Sequence, residues 1–221
     1  MKHDSGAAFS DNRITRLLGC DYPLVQGGMA WVADASLAAA VSNGGGLGLI
    51  AAANMPPDLL ELQLQKVRTL TDKPFGVNIM LMSPTVDQVI DLVARYRVPI
   101  VTTGAGSPGK VIEILKPLGT IIVPVIASVA QAKRVEKQGA DAVVAEGMEA
   151  GGHIGELTTM VLIPQIADSV EIPVIAAGGI ADGRAGRRGN LCLRRSLFLR
   201  SARHRGGRRR GFRRGERGCA G

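Results

Sequence analysis

Aromatic residues are scarce, at 3% of the 221-residue chain, so any sizeable core has to be built from Val, Ile, Leu and Ala. That is the composition of parallel strands covered by helices. Long apolar runs are missing too, and nothing approaches the ~18 uninterrupted apolar residues of a membrane span. Met1 to Asn12 has no apolar signal-peptide core, which makes the cytoplasm the expected location. Cysteine is limited to Cys20, Cys192 and Cys219, too scattered for a metal site or a disulfide framework. No metal is expected, and free thiols are the plain reading. The length suits one large or two small domains.

The net charge of +8 is not spread evenly. Fourteen of the 27 Lys and Arg, but only one of the 19 Asp and Glu, lie from Arg184 onward. The last 38 residues therefore carry +13 and the first 183 carry −5. A basic face for nucleic acid is excluded from the body and confined to the tail.

Short β-branched runs recur through the body: Pro23–Met29, Leu47–Ala53, Phe75–Leu81, Ile100–Gly104, Ile121–Ala127, Ala142–Glu146 and Pro173–Ala177. Their starts lie 21 to 31 residues apart. Helical patterns fill the gaps, at Leu59–Leu70, Val86–Tyr96, Lys110–Leu118, Ala132–Gln138 and Gln165–Val170. Ser83-Pro84 and Ser107-Pro108 read as caps followed by a first-turn proline. Ser128 opens a capping box, Gly139 stops the same helix, and Pro164 reads as the start of the last one. Strand–helix alternation demands parallel strands and right-handed crossovers. Seven units at ~25 residues each fit a TIM-type (βα)₈ barrel of ~200–250 residues. An open doubly wound sheet is the alternative. The domain expected is 1–183, an α/β barrel of about seven βα units lacking the eighth.

Where the eighth strand is due, near 195–205, the text becomes RAGRRGNLCLRRSLFLRSARHRGGRRRGFRRGERGCAG. This stretch, 184–221, has no Val, Ile, Thr, Tyr or Lys. It reads as an RNA-binding Gly/Arg arm, as a degraded eighth unit with Leu191–Leu199 as its strand, or as a GC-rich gene out of frame. The out-of-frame reading is favoured, because the change falls abruptly inside a repeating architecture. Such a charged tail is expected to be disordered.

In a βα barrel the chemistry sits at the C-terminal ends of the strands. Those ends collect Gln26-Gly27-Gly28-Met29, Asn78, Thr102-Thr103-Gly104, Ser128, Glu146 through His153, and Ala177-Gly178-Gly179. The Ala177-Gly178-Gly179 loop follows strand seven and offers backbone N–H groups to a phosphate, or is simply a tight turn. Gly27-Gly28 would let a flat ring lie against the backbone. The 146–155 segment holds two carboxylates, four glycines and His153. An imidazole titrating near 6.5 would exchange protons at neutral pH, though a structural histidine is an equal reading. Met29 and Trp31 are candidates to pack on a cofactor ring, with a core role equally open for Trp31.

The motifs QGGMAWVAD (26–34), GGGLGLI (44–50), KPFGVNIML (73–81), VTTGAG (101–106), EGMEAGGHIG (146–155) and PVIAAGGIADG (173–183) resemble one known family. It is the flavin-dependent enoyl-acyl-carrier-protein reductase II family, close kin to the nitronate monooxygenases (2-nitropropane dioxygenases). AWVAD and EGMEAGGHIG lean toward the reductase. The resemblance implies an FMN flavoprotein using NADH or NADPH, with an acyl-carrier-protein or CoA thioester as substrate, in fatty-acid biosynthesis. The alternative is oxidation of an alkyl nitronate with O₂. Gly27, Gly28, Met29 and Asn78 would lie along the flavin. Glu146, Gly151 and Gly152 would line the cavity, Ala177, Gly178 and Gly179 would hold the phosphate, and His153 would be the active-site histidine. No membrane or nucleic-acid partner of the body is expected; a homodimer is left open. The family continues past GGIADG with an eighth strand carrying Gly-Thr, which this sequence lacks. Unpaired edges on strands one and seven, weak FMN binding and aggregation are the expected consequences.

Overall fold

The computed structural model describes residues 12–152 and 155–180, and the backbone of 196–200. All seven expected strands are present: β1 (Val25–Gln26), β2 (Gly48–Ala51), β3 (Phe75–Met80), β4 (Ile100–Gly104), β5 (Ile121–Ile126), β6 (Val143–Glu146) and β7 (Val174–Ala177). Between them run α2 (Ala35–Asn43), α3 (Pro57–Leu70), α4 (Val86–Arg95), α5 (Gly109–Leu115), α6 (Val129–Gln138) and α7 (Thr159–Ala167). Every strand pair is parallel. The expected barrel of parallel βα units is therefore the observed architecture.

Along β2 to β5, period-two alternation sorts the buried strand residues into two sets. Leu49, Ile100 and Val123 cluster with Ile14 and Leu18, inside the ring of strands. Their neighbours Ile50, Val101 and Ile122 face outward and pack beneath Leu60, Leu64, Val67, Ile90 and Val93 of the helices. Leu60 and Leu64 are fully buried one helical turn apart. Truncating either to Ala would cost roughly 2–5 kcal/mol.

Four features depart from the sequence reading. A short helix, α1 (Arg13–Leu18), precedes the barrel, with Asn12 and Thr15 forming a reciprocal capping box. Its Ile14 and Leu18 enter the interior cluster, and the Arg13 guanidinium donates to the Glu171 carbonyl just before β7 at 2.7 Å. Next, the cap positions fall on Thr85 and Pro108, neither with a side-chain capping bond, although the Ser83 hydroxyl still accepts the Thr85 N–H at 3.4 Å just ahead of its helix. The last helix begins at Thr159 and not near Gln165, so Pro164 is internal. Burial of Leu162, Ile163, Ile166 and Ala167 holds that helix together across the N–H that proline lacks.

The fourth departure concerns the edges. A five-residue strand, β8 (Ser196–Arg200), pairs in parallel with both β7 and β1, from Val174↔Ser196 to Gln26↔Arg200. β1 meets β2 through the Val25↔Leu47 bridge, which closes the ring. Two strand edges lined with unpaired N–H and C=O groups accept even a short apolar run, and Ser-Leu-Phe-Leu is one within the Arg-rich stretch. Of the eighth unit the structure describes the strand; the residues after Arg200 lie outside the described residues. The readings of the rest of the tail as disordered or RNA-binding lie outside the described residues.

Candidate functional site

Parallel topology puts every strand's C-terminal end on one face, and the residues singled out from the sequence fall there in two groups. The first lies at the tips of β1, β3 and β4. Asn78 alternates with the outward-facing Val77 and Ile79, so it points inward. Its Nδ2 donates to the hydroxyl of buried Thr102 at 2.8 Å, which fixes the amide. Gly28 lies directly against it: a Cβ on residue 28 would stand 2.5 Å from Asn78 Cγ. Gln26, only 5% exposed, reaches across to β2, where its Nε2 donates to the Leu49 carbonyl at 2.9 Å. Gly27 and Gly104 have nothing within 4 Å of a Cβ position, and Met29 is half-buried beside them. Trp31 is 69% exposed with φ +65°, which rules out the core role considered for it.

The second group joins the tips of β6 and β7. Glu146 pairs in register with Ala177, and the Gly147 N–H donates to the Ala177 carbonyl at 3.0 Å. Gly178 and Gly179 are both left-handed, at φ +105° and +64°. A Cβ on residue 178 would lie 2.8 Å from Thr159 Oγ1 and 3.1 Å from the Gly147 carbonyl oxygen. Glu149 caps α7 from the β6 loop, its Oε2 accepting the Thr159 N–H at 2.8 Å and the Thr159 hydroxyl at 2.9 Å. Gly151 and Gly152 are exposed, with nothing among the described residues within 4 Å of a Cβ position. His153 lies outside the described residues.

The two carboxylates of the β6 loop differ. Burial pushes the Glu146 carboxyl above the usual range, favouring its neutral form. Burial also pulls Glu149 upward, but it is outweighed by the Thr159 N–H, Glu149's own N–H and the Thr159 hydroxyl. Glu149 therefore ionises below the usual range. Sequence reasoning placed Gln26, Thr102 and Glu149 among the strand-end candidates without a role for any of them, and missed Thr159. Thr159 had no local signal, because its partner Glu149 lies 10 residues upstream.

This arrangement suits a flat, anionic ligand. Side-chain-free backbone at Gly27, Gly28 and Gly104 leaves room for a ring beside a fixed amide. The paired left-handed glycines after β7 shape a backbone turn at the usual phosphate position of such barrels. On these grounds the residues present fit an FMN-type group.

The chain matches the family model for nitronate monooxygenase over residues 11–89 and 82–186. It is 44% identical over 171 residues to the (3aS,4S,5R,7aS)-5-hydroxy-7a-methyl-1-oxo-octahydro-1H-indene-4-carboxyl-CoA dehydrogenase of Rhodococcus jostii, covering 77% of this chain and 48% of that protein. To a "probable nitronate monooxygenase" of Staphylococcus haemolyticus it is 38% identical, over 79% of this chain and 62% of that one. The structure of FabK from Thermotoga maritima superposes with a TM-score of 0.83 at 50% identity, over 86% of this chain and 61% of that one. The chain thus spans about half to three fifths of the length of these relatives. Its ring of parallel strands, its glycine-lined strand tips and the family match over most of its described residues agree: the chain belongs to the nitronate monooxygenase family of oxidoreductases.

Proposed function

We propose that this chain is the FMN-binding barrel of a cytoplasmic enoyl-thioester reductase that takes its electrons from NADH or NADPH. FMN, when bound, would accept hydride from the nucleotide and deliver it to the β-carbon of an enoyl group on acyl-carrier protein or CoA. In this reading Gly27, Gly28 and Met29 lie along the ring, and Asn78, fixed by Thr102, offers its amide at the ring edge. Ala177, Gly178 and Gly179 hold the phosphate. Gly151 and Gly152 keep the approach to the ring free of side chains. Glu146, whose carboxyl burial pushes above the usual range, lines the cavity. His153, next in sequence after Gly152, is the group that supplies the proton to the α-carbon.

The observation that carries this reading is the contact of Gly28 with Asn78 at the strand tips, on the same face as the left-handed Gly178–Gly179 turn. The choice of an acyl substrate is supported by exposed apolar side chains at the same end. Trp31 and Val32 follow β1, Met82 follows β3 and Met148 follows β6, and all four face solvent. The 50% identity to FabK, an enoyl-acyl-carrier-protein reductase, points the same way. A second reading, nitronate oxidation with O₂, is favoured by the family match and by the staphylococcal relative.

Titrating the purified chain with FMN while following flavin fluorescence tests the cofactor; because β8 pairs with both β1 and β7, saturation is expected in the micromolar range in place of the weak binding that open edges would bring. No saturation by about 1 mM would remove the flavin reading, since such binding is worth less than about 4 kcal/mol. With FMN present, NADH- and NADPH-dependent reduction of a crotonyl thioester is set against nitronate-dependent O₂ uptake. Reduction is the expected activity. Nitronate-dependent uptake without reduction would establish the second reading instead.

A further inference from the structure

Glu149 has no part in holding cofactor or substrate in the scheme above, yet it joins three separate pieces of the site. Thr159, which its carboxylate engages through both N–H and hydroxyl, is the first residue of α7. Thr158, in the cap position, makes no side-chain capping bond. An ordinary cap sits within three residues of the N–H it serves. Here the acceptor lies 10 residues upstream, so the bond ties down a loop as well as starting a helix. Thr159 Oγ1 also stands 3.1 Å from the Gly178 carbonyl oxygen and 3.3 Å from that of Ala177. Backbone closes in on the same point. A Cβ on residue 147 would lie 2.2 Å from Thr159 Oγ1, and one on residue 179 would lie 3.2 Å from Glu149 Cβ.

We propose that Glu149 is a positioning residue which, through Thr159, clamps the β6 loop to the Gly178–Gly179 turn and so holds both glycine loops in place for the ligand. The identity of that ligand rests on the FMN reading; the clamp itself is a property of the chain. Without the carboxylate, the α7 N-terminus loses its acceptor, and among the described residues the Gly147–Ala177 and Met148–Leu157 backbone bonds are what anchor the 147–152 loop to other segments. The β7 turn would then lose the side that its closest neighbours form. A group that only capped α7 would leave that turn unaffected.

The test compares the full chain with Glu149→Gln, Glu149→Ala, Thr159→Ser and Thr159→Val by amide hydrogen exchange and by FMN titration. Glu149→Ala and Thr159→Val are expected to speed exchange about tenfold at amides 147–152 and 178–180, and to raise the FMN dissociation constant by about fivefold or more. Thr159→Ser keeps N–H and hydroxyl and is expected to stay within about twofold of wild type, with Glu149→Gln in between. Faster exchange confined to 160–167 would overturn the clamp and leave Glu149 a helix cap. So would unchanged FMN affinity in Glu149→Ala alongside normal binding by wild type. If wild type itself fails to bind FMN, the flavin reading falls, and the exchange at 178–180 still decides the clamp.

Discussion

Gly28 and Asn78 touch where no side chain at position 28 would fit, because its Cβ would lie 2.5 Å from Asn78 Cγ and 2.6 Å from Asn78 Cβ. Asn78 cannot retreat cheaply, since its amide is engaged with Thr102 on the neighbouring strand. Gly28→Ala should therefore lift the β1 loop or break the Asn78–Thr102 bond, both at the ring position. Loss of at least tenfold in FMN affinity is expected, worth about 1.4 kcal/mol. The pair Gly28→Ala with Asn78→Ala should recover part of the loop geometry but none of the amide contact. Fluorescence titration of the two variants beside wild type reads this out. Affinity within twofold of wild type for Gly28→Ala would show that the contact is no part of the seat.

Gly178 is a backbone requirement of a different kind. Its φ of +105° is strained for any L side chain, and an added Cβ would also meet Thr159 Oγ1 and the Gly147 carbonyl. Gly178→Ala should cost about 1–3 kcal/mol of stability. In a domain of this size that lowers the melting temperature by several degrees, about 2–4 °C per kcal/mol. Gly27→Ala is the matched control, with nothing within 4 Å of its Cβ position and no left-handed φ. It should leave the melting temperature nearly unchanged. Equal melting for the two variants would contradict this account.

The strands were legible because period and composition are local. Phe75 and Ile100 start their strands where the β-branched pattern starts, and Gly139 ends α6 with a left-handed φ of +100° as its sequence position implies. What escaped the sequence was set at a distance. Thr159 starts α7 because Glu149 reaches it across a loop, and no rule of spacing within the helix reveals that. Ser42 is buried because its hydroxyl donates to the Pro74 carbonyl at 2.8 Å, 32 residues away. Ser196–Arg200 overlaps the Leu191–Leu199 run that one reading of the tail made a strand, and the edges of β1 and β7 are what it pairs with. Asn12 is the exception: its box with Thr15 was local and readable, though its Thr in place of Glu or Gln disguised it. At the site, the glycines were legible as types, while their partners Asn78, Thr102 and Thr159 were joined to them only by folding.

Gln26 should be worth more than its exposed-loop neighbours. β1 is two residues long, and its ladder with β2 is a single bridge. The Gln26 amide adds a donated bond to the Leu49 carbonyl at 2.9 Å, inside the ring. Gln26→Ala removes that bond and leaves a buried carbonyl without its partner, at a cost of about 1–3 kcal/mol. Gln26→Glu should be worse, because it brings a charge into the same buried place and loses the donor. Urea denaturation of the three proteins measures this directly. A Gln26→Ala change below about 0.5 kcal/mol would mean that backbone pairing alone holds β1.

The two glutamates of the β6 loop should give stability opposite pH dependences. Glu146 is raised by burial, so its protonated form is favoured in the folded state. Its contribution is complete below the ordinary glutamate value of about 4.3 and is lost as pH rises through the folded value. Glu146→Gln removes the titration, so the variant should gain on wild type as pH rises from 4 toward 7. Glu149 is lowered, because its hydrogen bonds outweigh burial. Its contribution is complete above the ordinary value and is lost as pH falls through the folded one. Glu149→Gln should therefore lie below wild type by a constant amount from about pH 5 to 7, and the deficit should shrink below about pH 4. The two windows fall on opposite sides of one reference value, so a single series of melting curves across pH separates them. A Glu149→Gln deficit that grew as pH fell would reverse the sign and show that the Thr159 bonds do not hold the ionised carboxylate.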